Sequence, residues 1–133
     1  MIHGPTALPE PVQILVNRAI ALCEAILPHC RAVYPFAAIY ESGKVGCLFT
    51  DEDLHGANER QLIEQLQWRI IDTTTDSDNY SILVYAATVN TDRSEQLDAI
   101  AITVTGPDDT ETLLLYPYFR VGNKIVVSPP IHQ

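Results

Sequence analysis

Strand-like runs in the second half of the chain are separated only by short polar turns. They cover residues 80–89, 98–105, 111–121 and 125–127. In the second run Ile100, Ile102 and Val104 face one way and the residues between them face the other, as in a β-strand. Parallel neighbours need crossover connections of about a dozen residues or more, and these turns are too short for that. The runs therefore predict an antiparallel sheet.

Two helices and a β-hairpin are predicted as well. The helices are expected over residues 10–27 and 58–72, and the hairpin strands over residues 34–41 and 44–50. Apolar residues recur at helical spacing in the first helix, and Pro28 ends it. Gly43 supplies the positive φ of the hairpin turn, and Asn58 is a suitable N-cap for the second helix. The predicted order is therefore α-β-β-α-β-β-β-β.

This order favours an α+β fold with two layers. In it, two helices lie on one face of an antiparallel sheet of about five to six strands. A chain of 133 residues, of which 47% are hydrophobic, is long enough to bury one core. We expect a single domain over residues 1–133, with irregular tails at residues 1–9 and 128–133.

The formal net charge of −9, from 17 acidic and 8 basic side chains, narrows the range of partners. It repels phosphate backbones and anionic lipids, so binding to nucleic acid or to a membrane is disfavoured. No apolar run reaches the length of about 18 residues that spans a bilayer, and a secretory signal pattern is missing. The three cysteines are odd in number and lie within apolar sequence patterns, so a disulfide framework is not expected. These features predict a protein of the reducing cytoplasm.

Aromatic residues surround a proline in two motifs, Tyr34-Pro35-Phe36 and Tyr116-Pro117-Tyr118-Phe119. Two interpretations are open: the rings form a stacking platform for a ligand, or they close a core at the ends of two strands. Proline donates no ladder hydrogen bond, so each motif is expected at a strand end, an edge or a bulge. Few basic residues lie nearby to support stacking on nucleic-acid bases. The core-closing interpretation is therefore favoured.

The segment 51–55 gathers three carboxylates and an imidazole. Asp51, Asp53 and His55 are weak candidates for metal ligands, since such oxygen and nitrogen atoms hold divalent metals. No further ligand recurs at a fixed spacing, and acidic residues ahead of a helix are expected from its dipole alone. We therefore predict no metal and no cofactor. The sequence also has no nucleophile elbow, phosphate-binding loop or dinucleotide motif, which favours a protein without enzymatic activity.

Trp68 is the only tryptophan of the chain, and it lies away from the apolar side of the second predicted helix. At about 100° per residue it falls nearly opposite the apolar residues, on the same side as Glu64. Those apolar residues are Leu62, Ile63, Leu66 and Ile70. Either Trp68 is an exposed anchor for a partner, or the C-terminal tail or the loop at residues 73–79 covers it. Both interpretations stay open.

Four stretches, "YPFAAIYESGKV", "YAATVNTD", "DAIAITVTG" and "YPYF", resemble a group of small bacterial proteins of uncharacterised function. In that group a Tyr-Pro-Phe strand, a glycine turn, a Tyr-rich strand, an Asp-Ala-Ile strand and a late Pro-Tyr follow in the same order. The resemblance covers roughly residues 34–119 and contains no catalytic motif. It implies a compact bacterial α+β domain and supplies no reaction and no site residues.

Taken together, these features favour a non-enzymatic protein-binding module of the cytoplasm. Its size, charge and architecture are similar to those of immunity proteins and secretion chaperones, which is an analogy only. The expected partner is another protein or a second copy of the chain, bound on the exposed sheet face or around Trp68 and Glu64. The alternative is a small-molecule binder or enzyme with a pocket lined by Tyr34, Tyr116 and Tyr118.

Overall fold

The computed structural model describes residues 8–31, 33–41, 43–49, 60–61, 63–67, 79–90, 95–107 and 110–132. Helix α1 spans Glu10–Ile26 and continues into a 3-10 turn at Leu27–His29. Residues 60–61 and 63–67 are also helical and are called α2. The strands are β1 (Phe36–Glu41), β2 (Lys44–Phe49), β3 (Tyr80–Asn90), β4 (Gln96–Thr105), β5 (Glu111–Val121), β6 (Lys124–Val127) and β7 (Ile131–His132).

The strands form one sheet in the order β2-β1-β3-β4-β5-β6, and β7 pairs with β5 on the same side as β6. Every neighbouring pair is antiparallel, as the short connections require. Gly43, between β1 and β2, has φ 78° and supplies the left-handed turn conformation predicted for it. The predicted α+β fold class, the order of its elements and the antiparallel sheet are confirmed.

Helix α1 covers one face of the sheet, which we call the inner face. Leu15 and Leu27 are fully buried between α1 and the sheet, and each side chain buried in this way stabilises the fold by roughly 1.5–3 kcal/mol. The sheet residues of this core are Phe36, Ala38, Ile82, Val84, Ile100, Ile102, Val104, Leu114, Tyr116, Tyr118 and Ile125. They alternate along each strand, so the period of two seen in the sequence builds the inner face.

Helix α2 packs on the opposite, outer face, which corrects the expectation that both helices share one face. Its Leu66 is fully buried in a cluster with Ala37 and Leu83. Ala37 and Leu83 alternate with inner-face residues of β1 and β3, and consecutive strand residues point to opposite faces. At β1 and β3 the sheet therefore lies between the two helices.

Part of the segment expected as an irregular tail, residues 128–133, joins the sheet. Strand β7 pairs with Leu114 and Leu115 of β5. Between β6 and β7 the N–H of Ser128 donates to the carbonyl of Pro117 at 2.8 Å. In a β-strand the N–H and the C=O of one residue point toward the same neighbouring strand. Pro117 has no N–H, so the donor that it lacks would have pointed to the place between β6 and β7 where this edge of β5 has no paired strand. Because no ladder hydrogen bond is needed between β6 and β7, β5 accommodates a proline at this position.

By length and composition, α1 with its 3-10 turn is long and apolar enough to cross a membrane. Residues 10–29 form a 20-residue stretch, and an 18-residue window within it has a mean hydropathy of 1.3. The sequence-based expectation of no such segment rested on uninterrupted apolar runs, and Arg18 and Glu24 interrupt this one. A helix in a protein core meets the same criterion, and α1 buries one side against the sheet.

Candidate functional site

The aromatic residues proposed to line a pocket are divided between the core and the surface. Tyr116 and Tyr118 are 8% and 5% exposed and belong to the core beneath α1, as does Phe36. Tyr34 is 59% exposed. The core-closing interpretation therefore describes Phe36, Tyr116 and Tyr118, whereas Tyr34 lies outside that core.

Most of the other predicted site residues lie outside the described part of the chain. These are Trp68, Asp51, Asp53 and His55. Glu64 lies on the exposed side of α2, where its carboxylate is 3.5 Å from Nε of Arg60, a solvated pair that contributes little to stability. Among the described residues, no group of three His, Cys, Asp or Glu side chains is placed to hold a metal ion. The interpretations of Trp68 and of the 51–55 segment stay predictions.

Apolar side chains on the outer face are exposed where β5 meets β6 and β7. Phe119, Val121, Val126 and Ile131 are each between 43% and 60% exposed. Phe119 pairs with Val126, and Leu115 pairs with Ile131, and directly paired residues of antiparallel strands share a face. Val121 follows Phe119 by two residues and so lies on that face too. We call Phe119, Val121, Val126 and Ile131 the outer-edge patch.

The pairing of β5 explains why the patch is exposed. Strand β4 pairs with β5 as far as Pro117, so Phe119 and Val121 lie where β5 pairs with β6 alone. The described residues of α2 pack over β1 and β3 instead. A two-stranded ribbon usually carries polar residues on the face it shows to water. The apolar residues of the outer-edge patch depart from that pattern.

Arg120 fixes this ribbon to the end of α1. Its Nη1 donates to the carbonyl of Leu27 at 2.6 Å, and its Nη2 donates to the carbonyls of Cys30 and Arg31 at 2.8 and 2.9 Å. The guanidinium carbon lies 6.0 Å from the centre of the Tyr118 ring. The Leu27 carbonyl also accepts from the N–H of Cys30 at 3.3 Å, and the Cys30 and Arg31 carbonyls follow the end of the 3-10 turn. The side chain of Arg120 thus holds the patch-bearing ribbon in a fixed position.

The groups with shifted pKa values in the described residues lie in the core under α1. Burial raises the pKa of the Cys23 thiol to about 12. Burial also raises the pKa of Tyr116. Burial raises the pKa of Tyr118, the Asp98 carboxylate raises it further, and the Arg120 guanidinium lowers it. Raised pKa values keep these groups neutral at pH 7, so they supply neither a nucleophile nor an acid–base pair.

A recess of about 390 Å³ opens where α1 begins. It lies between the first turn of α1, the start of β3 and the β4–β5 turn. Its lining consists of Leu8, Pro9, Val12, Tyr80, Val104, Gly106, Pro107, Thr110 and Thr112. The recess leaves no signal in the sequence, because its lining residues come from separate segments and form no spacing motif. The outer-edge patch did leave a signal, since the alternate positions of β5 from Leu113 to Val121 are all apolar.

No protein-family model, no curated protein and no solved structure matches this chain. The resemblance to small bacterial proteins of uncharacterised function therefore stays a prediction.

Proposed function

We propose that this protein is a non-enzymatic, cytoplasmic module that binds another protein on the outer-edge patch. The observation that carries the proposal is the exposure of four large apolar side chains on one face of a sheet edge. Single exposed apolar residues are common on proteins and need no explanation. Several that share one face are typical of an interaction surface.

The composition and rigidity of the patch suit the centre of an interface. Phe119 supplies an aromatic anchor, and Val121, Val126 and Ile131 are β-branched, so they lose little side-chain freedom on docking. The three hydrogen bonds of Arg120 already hold the ribbon against the end of α1. A partner therefore meets a surface that needs little ordering, which favours affinity.

The partner that we propose is a protein with an apolar centre and a basic rim. The net charge of −9 attracts basic surfaces and accelerates their encounter. The attraction arises from the charge of the whole molecule rather than from the patch itself, since Lys124 lies beside the patch, opposite Val121. The same charge makes two copies of the chain repel each other, so a homodimer is the less favoured occupant.

Two other predicted surfaces have less support. In a pocket lined by Tyr34, Tyr116 and Tyr118, two of the three residues would have to leave the core. Trp68 and Glu64 stay a second predicted contact surface, which α2 would present on the outer side of the sheet. The proposal includes no enzymatic step, because the described groups with shifted pKa values are neutral core groups.

Site-specific photo-crosslinking tests the proposal. Benzoylphenylalanine replaces Val126 in one variant and Asn90, an exposed strand residue outside the patch, in the control. Each variant is irradiated in an extract of the source organism, and adducts are identified by mass spectrometry. We expect one defined basic protein to be crosslinked at Val126 and not at Asn90, and to bind the purified chain in a two-component mixture.

The other results are equally informative. Crosslinking of the same protein from both positions, or no adduct at Val126, would contradict docking on the patch. An adduct at Val126 with twice the mass of the chain would identify a second copy as the occupant and reject the basic partner.

A further inference from the structure

We propose that the recess at the start of α1 binds a small, neutral and largely apolar molecule. The recess and the outer-edge patch lie on opposite faces of the sheet, because Val104 and Thr112 are paired inner-face positions and Phe119 is an outer-face position. The inference goes beyond the proposed function and does not depend on it.

The size and position of the recess suit a ligand. Its volume of about 390 Å³ lies within the range of roughly 300–1,000 Å³ that is usual for small-molecule sites. Its described walls come from the start of α1, from strands β3, β4 and β5 and from residues on either side of the β4–β5 connection, so the ligand would contact several elements of the core. Binding sites often form at such junctions of elements.

The lining has apolar walls and a few hydroxyl groups. Leu8, Val12 and Val104 supply the apolar walls, and Tyr80 and Thr112 supply hydroxyls that can each donate and accept a hydrogen bond. A surface of this kind holds ordered water poorly, because a water molecule needs two to four polar partners. A ligand that covers the apolar walls and meets one or two hydroxyls fits the lining better.

The charges around the recess favour a neutral ligand. None of the nine described lining residues is charged, so a charged group of a ligand would lose water there without gaining an oppositely charged side chain among them. Glu10 already lies in the first turn of α1, where the helix dipole favours negative charge. A second anion would be repelled by Glu10 and by the net charge of −9.

Two matched fluorescent probes test the chemistry of the site. N-phenyl-1-naphthylamine is neutral, and 1-anilinonaphthalene-8-sulfonate has the same ring system with one added sulfonate. We expect the neutral probe to bind the full chain saturably at one site and the sulfonate to bind at least tenfold more weakly. Equal or tighter binding of the sulfonate would overturn the assignment of a neutral ligand.

Adjacent residues of β5 test the location. Thr112→Trp places a large ring in the recess, whereas Glu111→Trp places the same ring on the opposite face. We expect Thr112→Trp to weaken the neutral probe at least tenfold and Glu111→Trp to leave its affinity unchanged. Thermal unfolding of both variants checks that they fold.

A measurement on the unaltered chain keeps the test independent of these variants. The neutral probe is expected to shift the backbone amide resonances of Val12, Val104 and Thr112 and to leave those of Phe119 and Val126 in place. Shifts confined to the outer-edge patch, unchanged binding by a folded Thr112→Trp, or no saturable binding would each reject the site.

Discussion

Arg120 reaches from β5 to the carbonyl groups that end α1, across 93 positions of sequence in the case of Leu27. Its guanidinium serves three acceptors in a planar arrangement that a lysine ammonium cannot reproduce. In the sequence, Arg120 is merely one of the few basic residues near the second aromatic motif. Nothing in the sequence spacing links a strand residue to a helix terminus so far away, so this contact is visible only in the structure.

Replacing Arg120 tests how strongly this contact stabilises the fold. We expect Arg120→Ala to lower the free energy of unfolding by about 1–2 kcal/mol, because three carbonyls lose a charged donor at a partly exposed site. Arg120→Lys is expected to recover only part of the free energy of unfolding that Arg120→Ala loses. The control is Arg18→Ala, which removes the same side chain from an exposed position of α1. Urea denaturation measures all three variants, and equal effects of Arg120→Ala and Arg18→Ala would refute the role.

Cys23 makes the fold sensitive to alkaline pH. Its folded-state pKa of about 12 lies above the ordinary value of 9.0, so the unfolded chain loses this proton first as pH rises. Unfolding is then favoured, and stability that is complete below pH 9 falls by about 1.4 kcal/mol per pH unit between about pH 9 and pH 12. The raised pKa values of Tyr116 and Tyr118 steepen the decline above pH 10.

Urea denaturation at pH 7 and at about pH 10.5 checks this prediction. The free energy of unfolding is expected to fall by about 2 kcal/mol or more over this interval in the native chain. Cys23→Ala is less stable at pH 7 because it loses a buried side chain, but its pH dependence is flatter. The same slope in Cys23→Ala and in the native chain would show that the thiol does not cause the decline.

At the scale of elements, the sequence predicted the helix, the strands and the hairpin turn well because each leaves a local signal. Pro28 limits α1, Gly43 marks the hairpin, and alternation marks β4. The side of the sheet on which α2 lies leaves no such signal. β1 and β3 carry apolar residues on both faces, and the periodicity of a helix shows which of its own sides is buried but not against which face of the sheet.

Mutational coupling checks the placement of α2. Leu66→Ala is expected to cost about 2–5 kcal/mol, since the side chain is fully buried against the outer face. In a double-mutant cycle, Leu66→Ala and Leu83→Ala couple by more than about 0.5 kcal/mol. The destabilising effects of Leu66→Ala and Val12→Ala, which lie on opposite faces of the sheet, are expected to be additive within about 0.5 kcal/mol. Coupling of Leu66 with Val12 but not with Leu83 would place α2 on the inner face.

At the scale of the whole molecule, the protein-binding function stays a prediction, and the surface proposed for it, the outer-edge patch, differs from the residues that the sequence suggested. The net charge follows from composition, and the search for catalytic motifs needs only residue order, so both are readable without a structure. The outer-edge patch depends on where β4 stops pairing with β5 and on the hairpin that brings Val126 beside Phe119. The pairing register of β5 with its neighbours is set in the folded protein, so the sequence alone does not show which part of this apolar strand is exposed.

The affinity of the crosslinked partner for a patch variant tests the central claim most directly. Val126→Asp adds one negative charge to the patch, and Asn90→Asp adds the same charge to an exposed strand residue outside it. Isothermal titration calorimetry measures the affinity of each variant for the purified partner. We predict that Val126→Asp binds at least tenfold more weakly than the native chain and that the affinity of Asn90→Asp stays within about twofold of it. The two variants then differ by at least about 1 kcal/mol in binding free energy. A folded Val126→Asp variant that binds as tightly as the native chain would contradict the account.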